Sequence, residues 1–378
     1  MRLGFDGKRA TQNFRGLGNY SRGIIEGLLQ YGSDDIFLYS PLVKDERALK
    51  WLAKEESSKL HLCEPQSFIG KKIPALWRSF SIIADLKKEN LDLFHGLSHE
   101  IPTGVNTAVK KSVVTMHDLI FLRYPEFFPL IDRITYKQKF SYACKNADMV
   151  MAICEQTKRD LIEFLGVDEK KIVVHYQSCD PVFYEKRDFS EIKSLMQKYG
   201  FERPFILNVG AFEERKNQLA LIEAFAKSAN QIEQDLVLIG NGKAYLAQCK
   251  KRVEDLKLSH RVRFLSNIPF NELPLFYQAA DLFCFPSHFE GFGLPIVESL
   301  FSQTPVITSF GSCFPESAGP DSVYIDPLSV DDISDKMIKV LSDVTLQKTM
   351  ISKGHEYAQQ FHRENVTAKL LEYYSQLF

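Results

Sequence analysis

The sequence predicts an α/β protein built from two doubly wound units, each a parallel sheet with helices on its faces. Three observations carry this. Short apolar runs alternate with longer stretches of helical periodicity along the whole chain, which is the pattern of strands joined by crossover helices. The rhythm stops at the charged segment Arg187–Tyr199 and then restarts. At 378 residues, the length also suits two domains better than one.

In the first half, strands are expected at Leu3–Phe5, Ile36–Tyr39, Leu93–His95, Ser112–Thr115, Met149–Ile153 and Ile172–Val174. Helices are expected over Tyr20–Tyr31, Arg133–Asn146 and Glu155–Leu165. Arg187–Tyr199 carries no strand signal and reads as the link into the second unit. There the strands are expected at Phe205–Val209, Asp235–Ile239, Val262–Leu265, Leu282–Phe285, Val306–Thr308 and Val323–Ile325. The last helical stretch, Glu364–Leu377, is expected to return to the first unit. The division is therefore 1–183 with 362–378 packed back on it, and 184–361. Two such units imply a cleft lined by loops at the carboxyl ends of their strands.

Hydrophobic residues make up 45% and charged residues 25%, as in an ordinary globular chain with ample core. Lys plus Arg number 47 against 48 for Asp plus Glu, so the charge gives no case for a nucleic-acid partner. The first 180 residues carry net +3 and the remainder net −4, which makes the first half the one to face an anionic surface. Seven scattered cysteines without a C-x-x-C pair indicate free thiols in a reducing compartment and no zinc site. The N-terminus lacks a signal-peptide pattern, and no apolar run reaches the roughly 18–20 residues of a membrane span. A cytoplasmic protein is expected, with peripheral contact at the inner membrane face left open.

The most informative stretch is Phe283–Val306, FCFPSHFEGFGLPIVESLFSQTPV. Glu290 and Glu298 lie eight positions apart around a Gly-Phe-Gly turn that runs into an apolar helical pattern. Pro295 suits the first helical turn, where a missing N–H costs nothing. Glu290 is thus expected on a solvent-facing loop at the site's mouth, with Glu298 about one turn inside the helix. Gly291 and Gly293 let backbone approach a ligand, and the helix start offers N–H groups to an anion. That combination outlines a pocket for a nucleotide sugar. A purely structural account, one capping and one exposed carboxylate, is the competing one.

Other strand ends add candidates. Phe205–Val209 leads into Gly210-Ala-Phe-Glu-Glu-Arg215-Lys216-Asn217, and paired cations after a strand suit a diphosphate. Gly240 and Gly242 turn tightly after Asp235–Ile239; alone, such a turn is weak evidence. In the first unit, Leu3–Phe5 opens onto a loop with Arg15, Gly16 and Gly18 before a helix from about Asn19, which could present N–H groups to phosphate or sugar. It is not a full dinucleotide fingerprint. His117 and Asp118 follow the strand Ser112–Thr115, where a cleft-facing pair and a histidine tied into local backbone are both open readings. No G-x-S-x-G, H-E-x-x-H or P-loop is present, and no Asp-x-Asp triplet offers to hold a metal-bound diphosphate.

These motifs resemble the retaining glycosyltransferases of the GT-B fold, family 4. The likeness is strongest in RVRFLSNIPFNELPLFYQAADLFCFPSHFEGFGLPIVESLFSQTPVITS, and extends to VGAFEERKNQLALIEAF, VVTMHDLIFLRYPE, ADMVMAICEQTKRDL and RGLGNYSRGI. It points to the mannosyl- and rhamnosyl-type members of surface-polysaccharide pathways. The resemblance implies that Glu290 contacts donor-sugar hydroxyls, and that backbone N–H groups of Phe292, Gly293 and Leu294 face sugar and phosphate. It implies that Glu298 holds the ribose, Arg215 and Lys216 the diphosphate, and Gly16 approaches from the opposite domain. His117 would line the catalytic centre, and the base would lie by Leu265–Asn267, with Ser266 and Asn267 contributing mainly backbone. Ala211, Ser266 and Phe310 depart from residues common in the family, which blurs which nucleotide and sugar are used.

The expected activity is transfer of a hexose, with mannose from GDP-mannose preferred over a UDP-sugar, to a glycan or lipid-linked acceptor. It needs no cofactor and no metal. A nucleotide-sugar epimerase and an inactive nucleotide-sugar-binding protein are the competing classes. Phe68–Phe80 mixes cations with Trp77 and two Phe, and is read either as a membrane contact for a lipid-linked acceptor or, preferred, as loop and helix with one buried face.

Overall fold

Each half of the chain builds one parallel sheet. The computed structural model describes residues 1–55 and 57–378, and Ile69 through its backbone alone. One unit comprises Met1–Ser178 with Arg363–Phe378, and the other Cys179–His362. The packing break falls ahead of position 183 because Phe183 is buried against the rings of Phe270 and Tyr277 in the second unit.

The first unit's strands are β1 Arg2–Asp6, β2 Asp35–Tyr39, β3 Leu60–Cys63, β4 Leu93–Gly96, β5 Lys111–Met116, β6 Met149–Ala152 and β7 Ile172–Val174. They lie in the order β3-β2-β1-β4-β5-β6-β7. Alternate side chains feed opposite faces. Val113, Met149 and Met151 join Leu3, Phe5, Ile24 and Leu28 on one side. Val114 and Val150 join Phe94, Phe121 and Phe140 on the other. Burial on both faces is what makes these strands continuous apolar runs. The strand β3 carries little such signal: Leu60 and Cys63 are half-buried, and His61 and Leu62 are exposed at the sheet edge. The sequence reading missed it for that reason.

The helix Arg363–Ser375 packs on the helix Gly16–Tyr31 within this unit, burying Leu370 and Tyr374. Gly27 makes room for it, since a Cβ there would stand 2.2 Å from Thr367 Oγ1. Arg363 Nη1 meets Glu26 Oε2 at 2.7 Å, and the Tyr374 hydroxyl lies 2.6 Å from His95 Nδ1.

The second unit's strands are β8 Phe205–Val209, β9 Asp235–Ile239, β10 Val262–Leu265, β11 Leu282–Phe285, β12 Val306–Ser309 and β13 Val323–Ile325. Their order is β10-β9-β8-β11-β12-β13. Both sheets are parallel and change direction of strand order at their first strand, the doubly wound pattern. Arg187–Tyr199 is not a mere link. It forms the helix Phe189–Lys198, started by a capping box in which the Asp188 N–H donates to Glu191 Oε2 at 3.2 Å.

Candidate functional site

In the second unit, the ends of β8, β9 and β10 are tied edge to edge. Gly210 N–H donates to Ile239 O at 2.9 Å, and Gly240 N–H to Leu265 O at 2.9 Å. A Cβ on Gly240 would lie 1.9 Å from Gly210 O, so only glycine permits this approach. Beyond β10, Ser266 and Asn267 are exposed, with Asn267 left-handed at φ 56°. Both are accessible to a ligand through backbone or side chain.

Arg215 and Lys216 lie in the short turn Glu214–Lys216 and both reach Glu290. Arg215 Nη1 stands 2.7 Å from Glu290 Oε2, and Lys216 Nζ donates to Glu290 Oε1 at 2.7 Å. Ser287 Oγ adds a hydrogen bond to Oε1 at 3.1 Å. The loop is fixed from behind: Arg215 also donates to Phe289 O, and His288 N–H to Arg215 O at 2.8 Å. The buried Cys313 donates its thiol to the Glu290 carbonyl at 3.3 Å. Burial alone would push the Glu290 carboxyl up, but the charges of Lys216 and Arg215 outweigh it and hold the group below the usual carboxylate range. The solvent-facing position expected for Glu290 is thus corrected. Its side chain is only 12% exposed, since two cations from a separate loop close over it.

Gly293 caps the helix Leu294–Phe301 at φ 93°, with Pro295 in the first turn. Gly291 and Leu294 flank it half-buried, while Phe292 is buried with its ring edge-on to Phe361 at 5.5 Å. Glu298 sits about one turn into this helix and accepts from the Tyr277 hydroxyl at 2.8 Å. Burial pushes its carboxyl up to about 7; the Tyr277 hydrogen bond opposes this, and the charge of Asp180 adds to it. Between the ordinary carboxylate value and about 7, the folded state keeps a proton that the unfolded chain releases, so stability falls as pH rises through that window. Glu298→Gln should remove this dependence. Urea unfolding from about pH 4 to about pH 8 should show the variant gaining roughly 1–3 kcal/mol on wild type. A difference that stays constant with pH would refute the raised carboxyl.

In the first unit, the helix begins at Gly16 rather than near Asn19, and Arg15 precedes it. Gly18 is buried, and a Cβ there would lie 1.6 Å from Asn13 O, so its role is to close the turn. Gly16 is exposed, with no atom within 4 Å of where a Cβ would stand. His117, at the end of β5, is held on every side. Its Nε2 is 2.9 Å from Leu97 O, its backbone N–H donates to His99 Nε2 at 3.0 Å, and Gln177 Nε2 is 3.4 Å from its Nδ1. Burial pushes the imidazole down to about 4, against the Leu97 hydrogen bond and helped by the charge of Arg9. It is a neutral ring tied into backbone, able to position but not to deliver a proton at neutral pH. Asp118 instead accepts from the Ile120 N–H at 3.1 Å.

The structure thus brings Arg215, Lys216 and Glu290 into contact, with Gly293 and Glu298 following on the adjoining loop and helix. Ser287, Tyr277, His99 and Gln177 escaped the sequence reading. Tyr277, His99 and Gln177 meet their partners through tertiary contacts rather than a motif, whereas Ser287 lies three residues before Glu290, within a local signal. Among the described residues, no group of three His, Cys, Asp or Glu is placed to hold a metal ion.

Comparison with known proteins bears on family and fold. The family model described as Glycosyltransferase Family 4 matches residues 16–182, and the one described as Glycosyl transferases group 1 matches 191–357. The chain is 28% identical over 289 residues to O-antigen chain mannosyltransferase B of Escherichia coli, covering 75% of this chain and 74% of that protein. It is 26% identical to O-antigen chain mannosyltransferase RfbU of Salmonella typhimurium, covering 78% and 77%. Among solved structures, Anabaena Alr3699/HepE in complex with UDP and glucose superposes with a TM-score of 0.80 at 19% identity, over 100% of both chains. Sucrose-phosphate synthase from Thermosynechococcus elongatus gives 0.77 at 18% identity, over 100% and 99%. The fold is GT-B.

Proposed function

We propose that this chain, which belongs to the GT-B glycosyltransferases of family 4 and group 1, moves mannose from GDP-mannose to an acceptor hydroxyl in surface-polysaccharide synthesis, with retention at the anomeric carbon. The observation that carries the transfer reading is the bridge from Arg215 and Lys216 to Glu290, beside the helix start at Gly293. Two cations on one small loop suit a diphosphate leaving group, and a carboxylate beside them suits sugar hydroxyls. The mannose assignment is supported by the names of the two O-antigen relatives.

In the proposed step, the bond from the anomeric carbon to the diphosphate oxygen breaks, and the acceptor oxygen bonds on the same face. The acceptor proton passes to the leaving phosphate oxygen. Arg215 and Lys216 turn from Glu290 to the diphosphate as the donor binds and neutralise the departing charge, a device that needs no metal. The released Glu290 carboxylate then takes sugar hydroxyls. Glu298 holds the ribose, and Ser266 and Asn267 border the base.

The test is competition binding against GDP-mannose, UDP-glucose and UDP-N-acetylglucosamine, followed by transfer in the presence of a chelator. A site that hydrogen-bonds the axial 2-hydroxyl of mannose leaves polar groups unpaired with glucose, so GDP-mannose should bind more tightly than either UDP-sugar. Tighter binding of a UDP-sugar sinks the donor assignment; loss of transfer in chelator, restored by magnesium or manganese, sinks metal independence. Epimerised donor on incubation without acceptor would make the chain an isomerase instead.

A further inference from the structure

The return of the last helix to the first unit brings more than apolar packing. A line of buried polar side chains runs from its final turn to the ring of His117. The Tyr374 hydroxyl lies 2.6 Å from His95 Nδ1, and His95 Nε2 lies 2.8 Å from Thr115 Oγ1. Thr115 Oγ1 lies 3.0 Å from the Tyr20 hydroxyl, and the Tyr20 ring meets the His117 ring edge-on with centroids 4.6 Å apart. The helix Arg363–Ser375, the strands β4 and β5, and the helix Gly16–Tyr31 all contribute. No link is an ion pair. Burial above all pushes both tyrosine hydroxyls up, and burial with the charges of His175 and His117 pushes the His95 imidazole well below its ordinary value.

A neutral imidazole has one N–H and one lone pair, so His95 accepts on one side and donates on the other. Hydroxyl donors make the shorter bonds, so the 2.6 Å link is Tyr374 donating to Nδ1. His95 Nε2–H then donates to Thr115 Oγ1, and the Thr115 hydroxyl is left to donate to Tyr20. Bonds in such a line polarise one another, and breaking one leaves buried polar groups unpaired. The line also crosses a significant place. The first sheet reverses its strand order at β1 and β4, and ligands of such sheets bind outside the carboxyl ends there. His95 and Thr115 are each the last residue but one of their strands. Tyr20 lies four residues into the helix that begins at Gly16. One side chain thus ties the turn at Gly16 to the ring of His117.

We propose that Tyr20 is a positioning residue, setting the His117 ring and the Gly16 turn for sugar transfer, and that Thr115, His95 and Tyr374 in turn hold it. The last helix thereby takes part in the reaction without touching substrate. This rests on the transfer reading above and on His117 belonging to the strand-end crevice. The test uses the full chain with 15N-labelled histidine, and the variants Thr115→Val, Thr115→Ser and Tyr374→Phe. In wild type, His95 should be the Nε2–H tautomer. Thr115→Val keeps the side-chain shape without the hydroxyl and should shift the His117 ring resonances, which Thr115→Ser should return to their wild-type positions. Hydrolysis of GDP-mannose without acceptor should slow roughly tenfold or more in Thr115→Val, with KM within about twofold of wild type. Thr115→Ser should recover that rate. Tyr374→Phe leaves the strands untouched and should slow hydrolysis likewise, so it carries the test if the valine variant misfolds. Wild type that binds GDP-mannose but does not hydrolyse it faults the transfer reading, and the histidine spectra then decide alone. An Nδ1–H tautomer at His95, or His117 resonances that stay in place in Thr115→Val, overturns the proposal. So does equal loss of rate in the valine and serine variants, or a Tyr374→Phe chain that loses stability yet keeps the wild-type rate.

Discussion

Glu290→Gln should transfer sugar at least ~100-fold more slowly than wild type, a barrier increase of about 2.7 kcal/mol, while binding the nucleoside diphosphate more tightly. The two effects come from one contact. Glu290 occupies both cations, Arg215 and Lys216, at 2.7 Å each. A neutral amide of the same shape gives them up to the diphosphate, so binding gains what the carboxylate had withheld. The same amide offers no charge to the sugar as its anomeric carbon becomes cationic, so the rate falls. Fold should survive, because the Cys313 and Ser312 contacts to the Glu290 carbonyl hold the loop independently of the carboxylate. The lowered Glu290 carboxyl stabilises the folded state above the ordinary carboxylate value, and that contribution is lost as pH falls through its folded value. The variant should lack this part of the acid sensitivity. Retention of more than about a tenth of the wild-type rate, a change below about 1.4 kcal/mol, removes Glu290 from the centre of the reaction.

What the sequence made legible was what local pattern dictates. Strands buried on both faces, such as β5 and β9, declare themselves as apolar runs, and among the described residues twelve of the thirteen strands in the two sheets fall where those runs lie. The edge strand β3 did not, because its half-exposed side chains break the pattern. The capping box at Asp188 and Glu191 was present in the sequence, yet the charge of the surrounding segment concealed the helix. At the site, Pro295 and Gly293 fixed the helix start and therefore the position of Glu298. Spacing could not show that Arg215 and Lys216 reach across to Glu290, and a loop position alone suggested exposure. Nor could it show Tyr277 against Glu298, or His99 under His117, since those pairs come from separate elements. For His117 the structure adds contacts that spacing could not show: its ring is tied to Leu97 O, with Gln177 beside its other nitrogen.

Lys216→Ala should weaken nucleoside diphosphate binding by about tenfold or more, yet change binding of the bare nucleoside by less than about twofold. Lys216 Nζ is a compact charge whose only ion-pair partner among the described residues is Glu290, and its aliphatic stem packs beside Gly210, where a Cβ would lie 3.2 Å from Lys216 Cδ. That packing puts the charge at the end of β8, where phosphates rather than base or ribose are expected. Arg215 is held by the Phe289 carbonyl and by Glu213 as well as by Glu290, so it is the less free of the two to follow the ligand. Removing Lys216 also takes away the largest charge that lowers the Glu290 carboxyl, leaving Arg215 as the remaining charge that opposes burial. The carboxyl must then rise, and the acid limb of the residual activity should move to higher pH than in wild type. Lys216→Arg should restore much of the phosphate affinity while keeping the acid limb near its wild-type position. An alanine variant that loses nucleoside and nucleoside diphosphate binding equally would show that Lys216 supports the pocket's shape instead, and an acid limb that does not move would separate it from Glu290 altogether.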